Sequence, residues 1–162
     1  MQLYLARHGD ALSKNENPDR PLSENGRLTV QKVASFLARS RFNVSQVVHS
    51  HKLRAQETAL ILSKGLGAGS IVQESSVPIG PNDEIWPLYN MLQYNHGEGS
   101  INDQMYVGHL PYLDRLLSSL VCGNEELSVV SFEPRMVVAL EREMGSCNWV
   151  VQWALMPRLL GQ

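Results

Sequence analysis

The chain has 162 residues, enough for one domain whose hydrophobic core requires neither metal nor disulfide support. Hydrophobic residues make up 43% of it and charged residues 19%, which is typical of globular proteins and not of disordered or membrane-spanning chains. A formal net charge of −2 offers no basic surface to a nucleic acid, and 2 cysteines are too few for a disulfide framework. We therefore expect a single domain over residues 1–162. Since the amino terminus lacks a secretory signal pattern, we expect a cytoplasmic location with no membrane partner.

The first half of the chain alternates strand and helix patterns. Residues 3–6 form a short apolar run, as in a strand that is buried on both faces, and the run ends at the tripeptide Arg-His-Gly. After a loop, Ser23 is placed to cap a helix with apolar residues at helical spacing. Residues 44–49 predict a second strand, and Ser50 is predicted to cap a second helix.

Helix and strand patterns continue to alternate up to about residue 120, and the tail then changes to strands. A loop over 75–87, rich in Ser, Pro, Gly and Asn, leads into a predicted helix. A strand candidate over 101–107 precedes another helix with Pro111 in its first turn. The tail is predicted to form strands that end in an antiparallel hairpin, at 127–132, 136–140 and 149–155, and Trp149 and Trp153 are predicted to share a face. This order predicts an α/β fold with a mostly parallel sheet flanked by helices and late antiparallel strands.

Three strand-to-helix junctions carry side chains of one chemical theme. In chain order they hold Arg7 and His8, then Ser50, His51 and Arg54, then Gly108 and His109. If the strands are parallel, these junctions lie on one edge of the sheet. Two guanidinium groups match the oxygens of a phosphoryl group, and a neutral imidazole can attack phosphorus when its other nitrogen is held as a donor. Taken singly, Arg54 can also belong to a solvated helix face and His109 can be a helix cap.

Three segments resemble motifs of the histidine phosphatase superfamily, which includes phosphoglycerate mutases and small phosphatases. They are Leu5-Ala6-Arg7-His8-Gly9, the stretch from Ser50 to Thr58, and Val107-Gly108-His109-Leu110-Pro111. The short length and the loop from Arg20 to Gly26 are most similar to phosphohistidine phosphatases of the SixA type, which act on phosphorylated histidine in signalling proteins. The resemblance implies a three-layer sandwich with a mostly parallel central sheet, the phosphoglycerate mutase-like fold.

The resemblance also implies roles for four residues. His8 is the nucleophile that becomes transiently phosphorylated, and Arg7, Arg54 and His109 hold the phosphoryl group. The implied enzyme is a metal-independent hydrolase without a cofactor, and its implied substrate is a phosphohistidine-bearing protein of the histidine-containing phosphotransfer type. No metal site is predicted, since the pair of histidines around Ser50 has no third ligand.

The sequence departs from the superfamily at the general acid. Many members place a glutamate in the loop after the third strand to protonate the leaving oxygen, and the stretch 75–84 puts no glutamate clearly there. Asp83, Glu84 and Asp10 are the candidates, although Asp83 and Glu84 can equally charge the first turn of the next helix. An imidazole leaving group needs less proton donation than a sugar alkoxide, which favours a phosphohistidine substrate. The alternatives are a phosphatase of a small phosphomonoester and a noncatalytic phosphate-binding or phosphohistidine-binding module.

Overall fold

A computed structural model describes residues 2–40, 44–66, 70–94, 103–142 and 147–161. Its strands are β1 (Gln2–Arg7), β2 (Gln46–His49), β3 (Ile71–Glu74), β4 (Gln104–Gly108), β5 (Val137–Arg142) and β6 (Trp149–Leu155). They form one six-stranded sheet in the order β3-β2-β4-β1-β5-β6. Strands β1 to β4 are mutually parallel, whereas β5 is antiparallel to both β1 and β6.

Helices cover both faces of this sheet. They are α1 (Glu24–Arg39), α2 (Leu53–Gly65), α3 (Trp86–Tyr94) and α4 (Tyr112–Cys122), and a short 3-10 helix follows at Pro157–Leu160. The buried residues of α1 and α2 pack on one face of the sheet and those of α3 and α4 on the other, so that two separate cores form. The predicted three-layer α/β sandwich with late antiparallel strands is confirmed.

Burial on both faces explains the apolar run in β1. Tyr4 and Ala6 pack in the core beneath α1 and α2, whereas Leu3 and Leu5 pack in the core beneath α3 and α4. All four side chains are at most 1% exposed. A strand in this position has no solvent face, so its sequence shows no polar alternation.

The predicted strand over 127–132 is wrong, because this segment forms bends and irregular loop. Two of its carbonyl groups accept hydrogen bonds from side chains of other elements. Leu127 O accepts from Ser118 Oγ, and Phe132 O accepts from Arg7 Nη1 at 2.8 Å. Its partly buried apolar side chains pack on the core of α3 and α4. The apolar composition therefore reflects packing of a loop and not strand pairing.

Trp149 and Trp153 lie on opposite faces of β6, and the prediction of a shared face is wrong. The register between β5 and β6 shifts next to Ala139, which pairs with Trp153. As a result Trp149 is buried in the core of α3 and α4, whereas Trp153 packs on the opposite face with its ring 5.9 Å from that of Tyr4. An irregularity in the strand reverses the alternation that a regular strand would give.

Candidate active site

The carboxyl ends of three neighbouring strands bring the predicted site residues together. Arg7 ends β1 and lies opposite Gly108, which ends β4. His8 N donates to Gly108 O at 3.1 Å, and Ser50 N, just after β2, donates to Val107 O at 3.2 Å. Because β4 lies between β1 and β2 in the sheet, the residues that follow these strands share one edge.

His8 is held as a neutral ring with one nitrogen free of a proton. Its Nδ1 donates to Gly9 O at 2.6 Å, because a carbonyl oxygen can only accept. Its Nε2 accepts from Arg54 Nε at 3.2 Å. The pKa of His8 is lowered to about 4, mainly by burial; the bond to Gly9 O opposes this shift, and the charges of Arg54 and Arg7 add to it. At neutral pH the Nε2 lone pair is therefore available for nucleophilic attack.

Arg54 is fixed in the first turn of α2, where it is 8% exposed. Thr58, one turn later, donates from Oγ1 to Arg54 O at 2.7 Å and accepts from Gly9 N at 3.1 Å. This hydroxyl joins α2 to the chain that follows β1. It therefore sets the position of Arg54 relative to His8.

His109 lies beside His8, with their ring centroids 4.8 Å apart. It is 1% exposed, and its Nε2 is 2.5 Å from Ser50 Oγ. Its Nδ1 is buried and has no hydrogen-bond partner in the described ranges. Burial lowers the pKa of His109 to about 3, with smaller contributions from His8 and Arg54. The ring is therefore neutral at pH 7, with one nitrogen held and the other available to a ligand.

Arg7 is oriented by one arm of its guanidinium group. Nη1 donates to Phe132 O at 2.8 Å, while Nε is buried without a partner among the described residues. Burial lowers the pKa of Arg7, and the carboxylate of Asp10 opposes that effect. The remaining donors are those of a forked cation that can bind the oxygens of an anion.

Two further arginines border the site and were not identified from the sequence. Arg20 donates from Nε to Leu12 O at 3.1 Å, and its charge contributes to lowering the pKa of both His8 and Arg54. Arg135 N donates to His8 O at 3.2 Å. Both have positive φ, 50° and 68° respectively. Arg20 belongs to a loop motif that could have drawn attention to it, whereas no sequence signal marks Arg135.

The three candidate acids are already engaged with other groups. Asp10 forms an ion pair with Arg135. Asp83 Oδ2 accepts from Gly80 N at 2.6 Å. The Glu84 side chain is 73% exposed, and its Oε2 is 3.7 Å from Arg115 Nη2. The alternative placement of Asp83 and Glu84 in the first turn of the next helix is wrong, because α3 begins at Trp86.

Ser50 does not cap α2, contrary to prediction. The residue before the helix is Lys52, which makes no side-chain capping bond. The Ser50 hydroxyl instead faces His109 and also lines a surface pocket of about 380 Å³. The pocket mixes hydroxyl, imidazole, carboxylate and apolar walls and is lined by Ser50, His51, Glu74, Ser75, Ser76, Val77, Pro78, Ile79 and Asp83.

The described residues show neither a metal-binding cluster nor a membrane-spanning helix. They contain no group of three or more His, Cys, Asp or Glu side chains arranged to hold a metal ion. None of the described helices combines the length and the apolar character needed to cross a membrane.

Comparisons with known proteins agree with this fold. Residues 3–76 match the model of the histidine phosphatase superfamily, branch 1. The phosphohistidine phosphatase SixA of Escherichia coli strain K12 is 27% identical over 150 residues, which cover 92% of each chain. The structure of SixA complexed with tungstate has a TM-score of 0.85 at 24% identity, over 99% of this chain and 100% of that one. A mycobacterial glucosyl-3-phosphoglycerate phosphatase has a TM-score of 0.64 at 18% identity, over 93% and 96% of the two chains.

The sequence match and the fold coincide at the site. The matched residues 3–76 include His8 and Arg54, and the similarity to SixA extends through His109 to cover nearly all of the chain. Residues 3–76 therefore match the histidine phosphatase superfamily, and the chain is similar to SixA over nearly its whole length.

Proposed function

We propose that this protein is a phosphatase that hydrolyses phosphohistidine on other proteins through a covalent intermediate on His8. The observation that carries the proposal is the His8 ring, whose Nδ1 is bonded to Gly9 O while Nε2 faces Arg54 Nε. The match of residues 3–76 to the histidine phosphatase superfamily supports the phosphatase activity. The choice of phosphohistidine rests on the similarity to SixA, whose name specifies that substrate.

The proposed reaction has two phosphoryl transfers. His8 Nε2 attacks phosphorus, the bond between phosphorus and the substrate nitrogen breaks, and its electron pair leaves with the substrate imidazole. Water then attacks the phosphorus on His8, which releases phosphate and restores the ring. Arg7, Arg54 and His109 hold the phosphoryl oxygens in both steps. When substrate binds, the hydrogen bond that Arg54 Nε–H donates to His8 Nε2 is replaced by one to a phosphoryl oxygen. Such a site acts through positioning and charge, and the proposed steps use no metal.

The engagement of the candidate acids supports an imidazole leaving group. Asp10 is paired with Arg135, and Asp83 accepts from Gly80 N. An alkoxide needs a proton from an acid as it leaves, whereas an imidazole leaves with less assistance. We therefore propose a phosphohistidine-bearing protein of the phosphotransfer type as the substrate.

A small phosphomonoester is the second candidate substrate. The glucosyl-3-phosphoglycerate phosphatase has the same fold, so the fold does not select between the two substrate classes. A noncatalytic phosphate-binding module is the third reading, and it would not need a nucleophile at position 8.

The test compares kcat/KM for a phosphohistidine protein, phosphoramidate and a panel of sugar phosphates, with the wild-type protein and with His8→Ala. We expect the phosphohistidine protein to be the best substrate and His8→Ala to lose activity by roughly 10³-fold or more. Affinity for inorganic phosphate, measured by calorimetry, should survive in this variant because Arg7 and Arg54 remain. Activity retained by His8→Ala would overturn the mechanism, and faster turnover of a sugar phosphate would overturn the substrate assignment.

A further inference from the structure

The hydroxyl of Ser50 is the only hydrogen-bond partner of the His109 ring among the described residues. Both residues are 1% exposed, so water does not compete for this contact. Ser50 follows β2 and His109 follows β4, and the backbone bond from Ser50 N to Val107 O fixes the two chains at this point. The distance of 2.5 Å between Oγ and Nε2 places the two groups in direct hydrogen-bond contact.

The direction of this bond decides which nitrogen of His109 carries a proton. A neutral imidazole has one N–H donor and one acceptor, so its partners select the tautomer. Lys52 N donates to Ser50 Oγ at 3.4 Å, which occupies a lone pair of that oxygen. The hydroxyl hydrogen and the second lone pair both remain available to Nε2, so the contact fits either tautomer of His109. With Nε2 as acceptor, the proton lies on Nδ1, the nitrogen that has no partner in the described part of the chain.

We propose that Ser50 is a positioning residue that holds His109 as the Nδ1–H tautomer, so that the ring offers a donor to a phosphoryl oxygen. The role in phosphoryl binding rests on the proposed function, whereas the tautomer itself does not. Without the hydroxyl, the ring can place its proton on Nε2 and present a lone pair at Nδ1. A lone pair would repel an anion, so the loss of Ser50 weakens oxyanion binding without removing any group that touches the substrate.

The tautomer of His109 affects anion binding because the lowered pKa keeps the ring neutral. Burial keeps this ring neutral at pH 7, so only one of its nitrogens can donate. A cationic ring would donate from both nitrogens whatever its partner. Ser50 is therefore significant because the site excludes the charged form of His109.

The primary test reads the tautomer by ¹⁵N NMR of the histidine side chains at neutral pH, with His109→Gln used to assign the signals. We expect a protonated Nδ1 and an unprotonated Nε2 in the wild-type protein. Ser50→Ala should shift the ring toward the Nε2–H form, and Ser50→Thr, which keeps the hydroxyl, should restore the wild-type pattern. A wild-type spectrum with the proton on Nε2 would overturn the proposal even if Ser50→Ala failed to fold.

The functional readout is the affinity for inorganic phosphate and the steady-state kinetics of the same variants. We expect Ser50→Ala to weaken phosphate binding roughly tenfold, the loss of one hydrogen bond to a charged group. Ser45→Ala is the matched control, because Ser45 precedes the same strand and its Oγ donates to Asp103 O at 3.0 Å, at the opposite end of the sheet. Equal losses of phosphate affinity in the two variants would show that Ser50 has only a structural role. An inactive wild-type protein with the expected tautomer would contradict the proposed function alone.

Discussion

His8 and His109 remain neutral because folding removes both rings from water and places them beside arginines. Like charges also crowd around the site, since the charge of Arg20 lowers the pKa of Arg54. Asp10 is paired with Arg135, and among the described residues Arg7, Arg20 and Arg54 form no ion pair with a carboxylate. A phosphoryl dianion would supply the missing negative charge. Shifted pKa values in such a cluster are a property of functional sites.

The identity of the leaving group can be tested at Asp83. In the wild-type protein Asp83 Oδ2 accepts from Gly80 N at 2.6 Å. Asp83→Asn keeps an oxygen that can accept this bond but removes the carboxyl group that could act as an acid. We expect kcat/KM for phosphoramidate to change less than about threefold, because an imidazole-like leaving group needs little proton donation.

Arg54→Ala serves as the positive control in that assay and should lose activity, since Arg54 donates to the nucleophilic nitrogen. A loss in Asp83→Asn as large as that in Arg54→Ala would identify Asp83 as the general acid. In that case the preference for phosphohistidine would need another basis.

Sequence patterns located the residues that follow strands but not those that depend on loop conformation. His8 and His109 directly follow apolar runs, and parallel pairing then brings them to one edge. Arg20 and Arg135 reach the same region through loops with positive φ. Backbone conformations of that kind depend on tertiary contacts for residues other than glycine. Sequence spacing alone therefore could not place these two arginines.

Among the secondary-structure elements, buried strands were easier to predict from the sequence than short exposed ones. β1 and β4 are central strands made mostly of buried residues, whereas β3 is a four-residue edge strand in which Ile71 is 62% exposed and whose residues predict no strand. The segment 127–132 is apolar because it packs on a core, and such a run does not distinguish a strand from a packed loop. The interior of the sheet and the edge strand β6 could be predicted, whereas the short edge strand β3 could not.

The crossing of α1 and α2 depends on Gly65, the last residue of α2. A Cβ atom at this position would lie 2.5 Å from Ala34 O in α1, which is backbone and cannot move independently. Gly65→Ala should therefore lower the free energy of unfolding by about 1–3 kcal/mol. Replacement of a helical glycine by alanine ordinarily stabilises by about 0.5–1 kcal/mol, so the sign of the change is diagnostic.

Urea unfolding measures this effect, and Gln56→Ala, at an exposed position of the same helix, is the control that should change stability little. Because α2 carries Arg54, a displaced helix should also reduce phosphatase activity. A more stable Gly65→Ala protein would show that the two helices do not approach this closely.

At the scale of the whole molecule, the site lies where the two cores end against solvent. The residues of β1 pack into both cores, and the strand then delivers Arg7 and His8 to the edge. Several parts of the chain hold the site together. Arg54 lies in the first turn of α2, Phe132 O accepts a hydrogen bond from Arg7, and Ser50 contacts His109. The cationic site also belongs to a chain of net charge −2, so its attraction for anions is local and is not a property of the overall charge.

Folding is coupled to the protonation of the two histidines, and this coupling predicts how stability depends on pH. In the unfolded chain each ring binds a proton near its ordinary pKa of about 6.5. The folded protein keeps His8 neutral down to about pH 4 and His109 down to about pH 3. Between these limits the unfolded state binds more protons, so the stability present above about pH 6.5 is lost as the pH falls.

Each ring should contribute a slope of about 1.4 kcal/mol per pH unit across this window. Urea unfolding between about pH 6.5 and about pH 5 isolates the effect, because carboxyl groups ordinarily titrate below that range. His8→Asn and His109→Asn should each remove one such slope, since asparagine does not titrate. A wild-type protein whose stability stays constant over this range would mean that the two rings take up protons in the folded state. The neutral nucleophile and the tautomer selected by Ser50 would then both lose their basis.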